Sequence, residues 1–170
     1  MKLIFSNTGP ILHLTEANLL SLLQNVRKIC IPKMVETEME ELHPFWTKHK
    51  PEWISIEYLS TDESKEAESL YLAGLLDPGE AEAIVLSKRL KPDWFITDDV
   101  EARIFANSLG IEVHGSLGVV LWSAAVGNLN YAESKEALNR LSKTSLWLSK
   151  NIIAQAQKAL EIMFENEESL

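Results

Sequence analysis

Cysteine is nearly absent from this chain: Cys30 stands alone among 170 residues. An intrachain disulfide is therefore excluded, and a reducing, cytoplasmic setting fits. Long hydrophobic runs are missing too. No stretch approaches the roughly 18 apolar residues of a membrane span. The opening "MKLIFSNTGP" has too short an apolar part for a signal peptide and reads as a buried first strand. Positive charge is scarce, with 16 Lys and Arg against 25 Asp and Glu, for a net charge of −9. Such an overall field does not attract nucleic acid. A nucleic-acid function would need a local basic patch or bound cations. The four histidines, His13, His43, His49 and His114, are scattered, and with one cysteine they give no zinc spacing. No glycine-rich loop follows the first strand, which argues against a dinucleotide site. No Ser/His/Asp or Cys/His signature points to a covalent nucleophile.

What is present is an alternation of strands and helices. Lys2–Phe5 is strand-like, and "SNTGP" supplies caps and Pro10 to start a helix. Ile11–Leu23 has helical spacing, with a break expected near Asn18. "VRKICIP" is a second strand, and Lys33 to Leu42 a helix that stops at "HPF". A third strand lies in "KPEWISIEYLS". Ser60 and Glu63 form a capping box for a helix reaching about Leu75. "LDPGEAEAIVLSKRL" is a turn and helix, "PDWFIT" a strand, and "DDVEARIFANSLG" a helix closed by Gly110. "IEVHG" and "SLGVVLWSAAVG" make a last strand and helix, and the chain is helical from Tyr131 onward. This order predicts a three-layer α/β/α domain with a central parallel sheet. Residues 1–130 form that domain in this reading, and 131–170 a helical extension packed on it.

Ligands of such sheets sit beyond the carboxyl ends of the strands, so acids just after strands are the candidates. Asp98 and Asp99 follow "WFIT" directly, and two adjacent like charges cost energy unless solvated or neutralised. Asp98-x-x-Glu101 has capping-box form, and Arg103 lies one turn on, able to neutralise one aspartate. In "IPKMVETEMEEL" the apolar stripe is Met34, Val35, Met39 and Leu42. Glu36, Glu40 and Glu41 fall outside it, whereas Glu38 falls inside. A carboxylate there must pair, bind a cation or snorkel outward. Glu80 and Glu82 point to opposite sides of their helix, so one at most joins a shared site. Glu80 is preferred for its small, apolar face. Asn7 and Thr8 follow the first strand, where helix capping is the plain explanation. An Asn oxygen can also bind a hard cation or its water.

The ordered set "SNTGP", "IPKMVETEMEEL", "GEAEAIVLS", "WFITDDVEAR" and "LGIEVHGSLGVVL" resembles PIN-domain proteins, closest to the VapC-like prokaryotic branch. The resemblance covers nearly the whole chain, including "LWLSKNIIAQAQKAL". It implies an α/β/α fold that gathers three or four acids around one or two Mg²⁺ or Mn²⁺ ions and cleaves RNA. Carried over, Asn7, Glu38 and Glu80 take the first three acid positions, and Asp98 and Asp99 the last. Thr8 matches the small hydroxyl residue after the first acid. Asn7 departs from the pattern, since aspartate is more usual there, and the change removes a charge.

The expected activity is that of a metal-dependent endoribonuclease, toxin-like in the VapC manner. Metal ligands are sought among Glu38, Glu80, Asp98 and Asp99, with Asn7 also in the site. Hard carboxylate oxygens suit Mg²⁺ or Mn²⁺, which would activate a water. Substrate contacts are expected from Thr8 and Arg103; Lys88, Arg89 and Lys91 could add backbone contacts, but a solvated helix end favoured by the dipole is their plainer reading. The resemblance further implies a single-stranded RNA substrate, a homodimer and a small antitoxin partner. Ile152, Ile153, Ala156, Leu160 and Met163 line the last helix, and packing on its own domain is their plainest use. The competing reading is a PIN-like module that has lost its metal and serves binding or assembly.

Overall fold

The computed structural model of the chain describes residues 3–26 and 28–167. Lys2, the expected start of the first strand, lies outside the described residues, as do Arg27 of "VRKICIP" and 168–170 of the extension. Five short strands form one parallel sheet: β1 (Leu3–Ser6), β2 (Lys28–Pro32), β3 (Ile54–Glu57), β4 (Trp94–Ile96) and β5 (Val113–His114). Their spatial order is β3-β2-β1-β4-β5. The three-layer α/β/α fold is thus what the alternation predicted.

Strands covered on both faces read as unbroken apolar runs, and "LIFS", "CIP" and "WFI" do. Their side chains split the core in two. Ile4, Ile29, Ile31, Trp94 and Ile96 face the side covered by α1 (Thr8–Glu16), α2 (Ser21–Gln24), α3 (Lys33–Leu42) and, further on, α8 (Ser116–Ala125). Phe5, Cys30 and Phe95 face the other side. There they meet α5 (Thr61–Leu72), α6 (Pro78–Leu90) and α7 (Val100–Ser108). Alanines at 67, 81, 83, 102 and 106 let this second layer approach closely. The strand order reverses between β1 and β4. Their carboxyl ends therefore splay apart into a crevice, the place where such sheets take ligands.

Several local expectations hold. The break between α1 and α2 falls at Asn18, which takes φ 55°, a left-handed state that asparagine tolerates better than most residues. The Ser60–Glu63 capping box forms at the start of α5. The helix ends at Leu72 rather than near Leu75. A short helix the sequence did not announce, α4 (Trp46–His49), follows "HPF". Its first amides are satisfied from α3, since the Glu40 carboxylate accepts from Phe45 N (3.0 Å) and Thr47 N (2.7 Å). Those bonds hold the Glu40 carboxyl below the usual glutamate range.

The two helices past residue 130 fold onto the same body. Ala137 and Leu141 of α9 (Tyr131–Leu141) enter the first core half. Ala156 and Leu160 of α10 (Lys150–Glu167) pack with Ala124 and Leu138. Ile152, expected on the buried face of α10, is instead 39% exposed. Among the described residues no helix is long and apolar enough to cross a membrane.

Candidate active site

A cavity of about 340 Å³ opens at the β1–β4 crevice. Asn7 and Thr8 reach it from the end of β1, Glu38 from α3, Asp77 and Glu80 from the start of α6, and Asp98 and Asp99 from the end of β4. His13 of α1 completes the polar wall, and Leu42, Ser145, Leu146 and Trp147 form part of the lining. Five carboxyl groups (Glu38, Asp77, Glu80, Asp98 and Asp99) thus share one space with a single imidazole.

Each acid arrives by a different local route. Glu38 crosses to α6 because residue 79 is glycine. The Gly79 amide donates to Glu38 Oε1 at 2.9 Å, and the Thr8 hydroxyl donates to Oε2. A methyl group on Gly79 would overlap the Glu38 carboxylate. The acid that α3 buries most deeply is another one. Glu36 was expected outside the apolar stripe, yet it is 6% exposed. Its ion pair with Lys33, one turn back, offsets the desolvation. Leu42, expected within the stripe, is 58% exposed beside the cavity.

Asp98 and Asp99 separate in role. Asp99, not Asp98, caps α7: its Oδ1 accepts from Ala102 N at 2.7 Å. This corrects the Asp98-x-x-Glu101 box. Asp98 turns toward α8, where its Oδ1 accepts from Ser116 N (2.7 Å) and its Oδ2 from the Ser116 hydroxyl. His13 Nδ1 lies 2.7 Å from the same Oδ2 and donates to it. Gly115 makes the approach possible, since a Cβ there would stand 2.8 Å from Asp98 Oδ1. Arg103 pairs with neither aspartate. Its Nη2 donates to the Thr97 carbonyl at 3.0 Å, and Arg103 is not part of the cavity wall.

Glu80 lines the cavity and Glu82 does not. Glu82 Oε2 accepts from Met34 N at 3.2 Å instead. Glu80 holds Asp77 N (3.0 Å) with Oε2 and receives Asn7 Nδ2 (3.2 Å) on Oε1. Burial pushes the Glu80 carboxyl up to about 7, and the charges of Asp99, Asp77 and Glu38 add to the rise. Asn7, 3% exposed, also donates to Thr97 Oγ1 at 2.8 Å, which leaves its Oδ1 buried with no partner. The opposite amide orientation would set that oxygen against the Glu80 carboxylate, so the orphan belongs to this site. An unpaired buried acceptor costs about 1–3 kcal/mol.

The model of the DUF3368 family, a PIN domain, matches residues 3–161. The chain belongs to the PIN-domain family. No curated protein matches it.

Sequence reasoning missed several parts of this PIN domain's rim. Asp77 was hidden in "LDPGE", where an Asp before Pro reads simply as a cap. His13 and Ser116 carry no local signal, because each matters only through Asp98 on a distant strand end. The basic cluster Lys88, Arg89 and Lys91 stands at the far end of α6, near Pro92 and Leu109, away from the acids. Lys88 there pairs with Glu66, and Arg89 with Glu63 at 2.7 Å.

The donor set was weighed against a divalent cation. Among the described residues no three His, Cys, Asp or Glu side chains converge closely enough to hold an ion by themselves. The donors are nonetheless hard oxygens, the orphaned Asn7 Oδ1 among them, and Glu80, raised first by burial and then by the charges of Asp99, Asp77 and Glu38, would be relieved by a cation. Mg²⁺ keeps several waters and takes only one or two carboxylates directly. The residues fit a hydrated hard cation, held partly through water.

Proposed function

We propose that this PIN domain is a metal-dependent endoribonuclease whose cation, Mg²⁺ or Mn²⁺, is held by Glu80 and Asp99. The observation that supports it most is the gathering of five carboxyl groups around one cavity, beside an Asn7 whose buried oxygen has no partner. When bound, the cation would activate water and offset charge at the scissile phosphate. Asp99 keeps Oδ2 free while Oδ1 caps α7. Asp98 takes three bonds, from Ser116 N, the Ser116 hydroxyl and His13, and so orients the β4 turn, whereas Glu80 takes one bond per oxygen and keeps a lone pair on each for the cation. Glu38, anchored by Gly79 and Thr8, would hold water from the opposite wall. Asn7 supplies a neutral oxygen and fixes Glu80 through its amide nitrogen.

Single-stranded RNA, which the resemblance implies, is the substrate class of this reading. The VapC-like resemblance extends the proposal to a cytoplasmic, dimeric, toxin-like protein with a small antitoxin. A second reading, a PIN module without metal and used for binding or assembly, is favoured by one observation: Asn7 spends its amide on Glu80, where an aspartate would add a charge. Cleavage of unstructured RNA with Mn²⁺, with EDTA and with Asp99→Asn separates the two. Cleavage that needs Mn²⁺ and is lost in the variant supports the nuclease. Stable RNA in every sample supports the module.

A further inference from the structure

The acid cavity has a difficulty of its own. Phosphodiesters carry negative charge, and so do its walls. The cations expected to help lie elsewhere: Lys88 and Arg89 are ion-paired at the other rim, and Arg103 faces a backbone carbonyl. A second cavity, of about 510 Å³, adjoins the first, and Ser145 lines both. Arg140 and Lys143 line this second space, and among the described residues neither has an ion-pair or side-chain hydrogen-bond partner. Arg140 Nε is buried and unpaired, so the guanidinium has spent none of its charge on the fold. Glu16, the acid in the same wall, is already committed: its Oε2 accepts from Ser145 N and the Ser145 hydroxyl, both at 2.8 Å. The wall therefore sets two cations against one carboxylate, a local positive excess in a chain of net charge −9.

The connector between α9 and α10 carries Ser145 as the ridge between the cavities. Two residues on, Trp147 lines the acid cavity and is 81% exposed. An indole so bare gains nothing from the fold, yet it offers a face on which any base can stack.

We propose that this connector seats the substrate strand, with a nucleobase stacked on Trp147 and a neighbouring phosphate held by Arg140 and Lys143. The inference rests on the nuclease reading and names the substrate seat of that same site. The strand lies along the ridge at Ser145. Its charge is met on the basic side, and the scissile phosphate is delivered to the acidic side. Stacking gives affinity that salt screens little, and the two cations give the salt-sensitive part.

The test measures binding of a short fluorescent, 2′-O-methylated single-stranded RNA in Mg²⁺ over a salt series, and cleavage of the unmodified strand. The variants are Trp147→Ala, Lys143→Gln and Arg140→Gln. Trp147→Ala should weaken binding about 5- to 100-fold with an unchanged salt slope. Lys143→Gln and Arg140→Gln should each flatten the slope of log K against log salt by about 0.7. In all three, KM should rise far more than kcat falls. Should Arg140→Gln not fold, the two exposed positions still decide. Variants that match wild-type affinity and slope, while wild type cleaves RNA, would overturn the seat and leave the nuclease reading standing. A wild-type protein that neither binds nor cleaves would overturn both. RNA binding unchanged in Trp147→Ala, with an altered oligomeric mass, would make this face a protein contact and overturn the seat.

Discussion

The two rims of the sheet treat charge in opposite ways. Where the strands begin, Lys88 and Arg89 close onto Glu66 and Glu63, each cation matched to an acid on α5. Where they end, five carboxyl groups face one another across a cavity in which, among the described residues, His13 is the one basic lining side chain. The first arrangement is what surface charges do for a fold, and such pairs contribute about 0–1 kcal/mol each. The second works against the fold. Burial and neighbouring acids push Glu80 to about 7, so part of the cluster stays protonated near neutrality. Folding tolerates the acid rim because the chain's own amides and hydroxyls, from Gly79, Ser116, Ala102 and Thr8, hold the carboxylates in place.

The largest effect should come from Asp99→Asn. Asparagine caps a helix as well as aspartate does, so α7 should survive. Loss of the charge should lower RNA cleavage by at least ~100-fold, since even supporting ligand contacts are worth 10–100-fold. A folded variant, judged by circular dichroism, that cleaves at the wild-type rate would erase the distinction between the rims. Gly79→Ala comes next. Its methyl group would meet the Glu38 carboxylate, and the strain should cost about 1–3 kcal/mol in urea unfolding. Unchanged stability would mean that Glu38 is not held against α6.

Glu80 gives a pH signature. Its folded pKa lies above the unfolded value, so the folded protein binds more protons than the unfolded chain. Its share of stability is complete below the unfolded pKa and fades as pH rises through about 7. Metal-free protein should therefore lose melting temperature between roughly pH 5 and 8. Glu80→Gln should flatten that slope, and a variant that keeps the wild-type slope would remove Glu80 as its cause. The smallest effect belongs to the other rim. A double-mutant cycle on Arg89 and Glu63 should give a coupling of no more than about 1 kcal/mol, with no change in cleavage.

How far these contrasts could be read from the residues depends on distance along the chain. The limits of α3, the break at Asn18 and the cap of α5 follow from neighbours within a few positions, and they stand as expected. That Asp99 caps α7 while Asp98 turns away could not be read this way, because Ser116, 18 residues on, holds Asp98. The burial of Glu36 also escaped. Periodicity counts apolar residues, and a carboxylate covered by its own Lys33 imitates one. The basic run "SKRLK" reads first as a helix end, and its ion pairs with Glu66 and Glu63 agree with that; its use as a substrate patch could be weighed only while the direction of α6 was unknown. Arg140 and Lys143, unpaired among the described residues, gave no local sign, since their freedom is visible only once the acids around them have been assigned.

Thermal unfolding of wild type, Glu80→Gln and Asp99→Asn against Mn²⁺ concentration at pH 7.5 probes the acid rim most directly. Wild type should gain about 2.7 kcal/mol at a hundredfold excess over Kd, roughly 5–10 °C for a chain of this size. Each variant should lose most of that gain. A wild-type melting temperature indifferent to Mn²⁺, or an equal rise in all three proteins, would contradict a cation site built on these carboxylates.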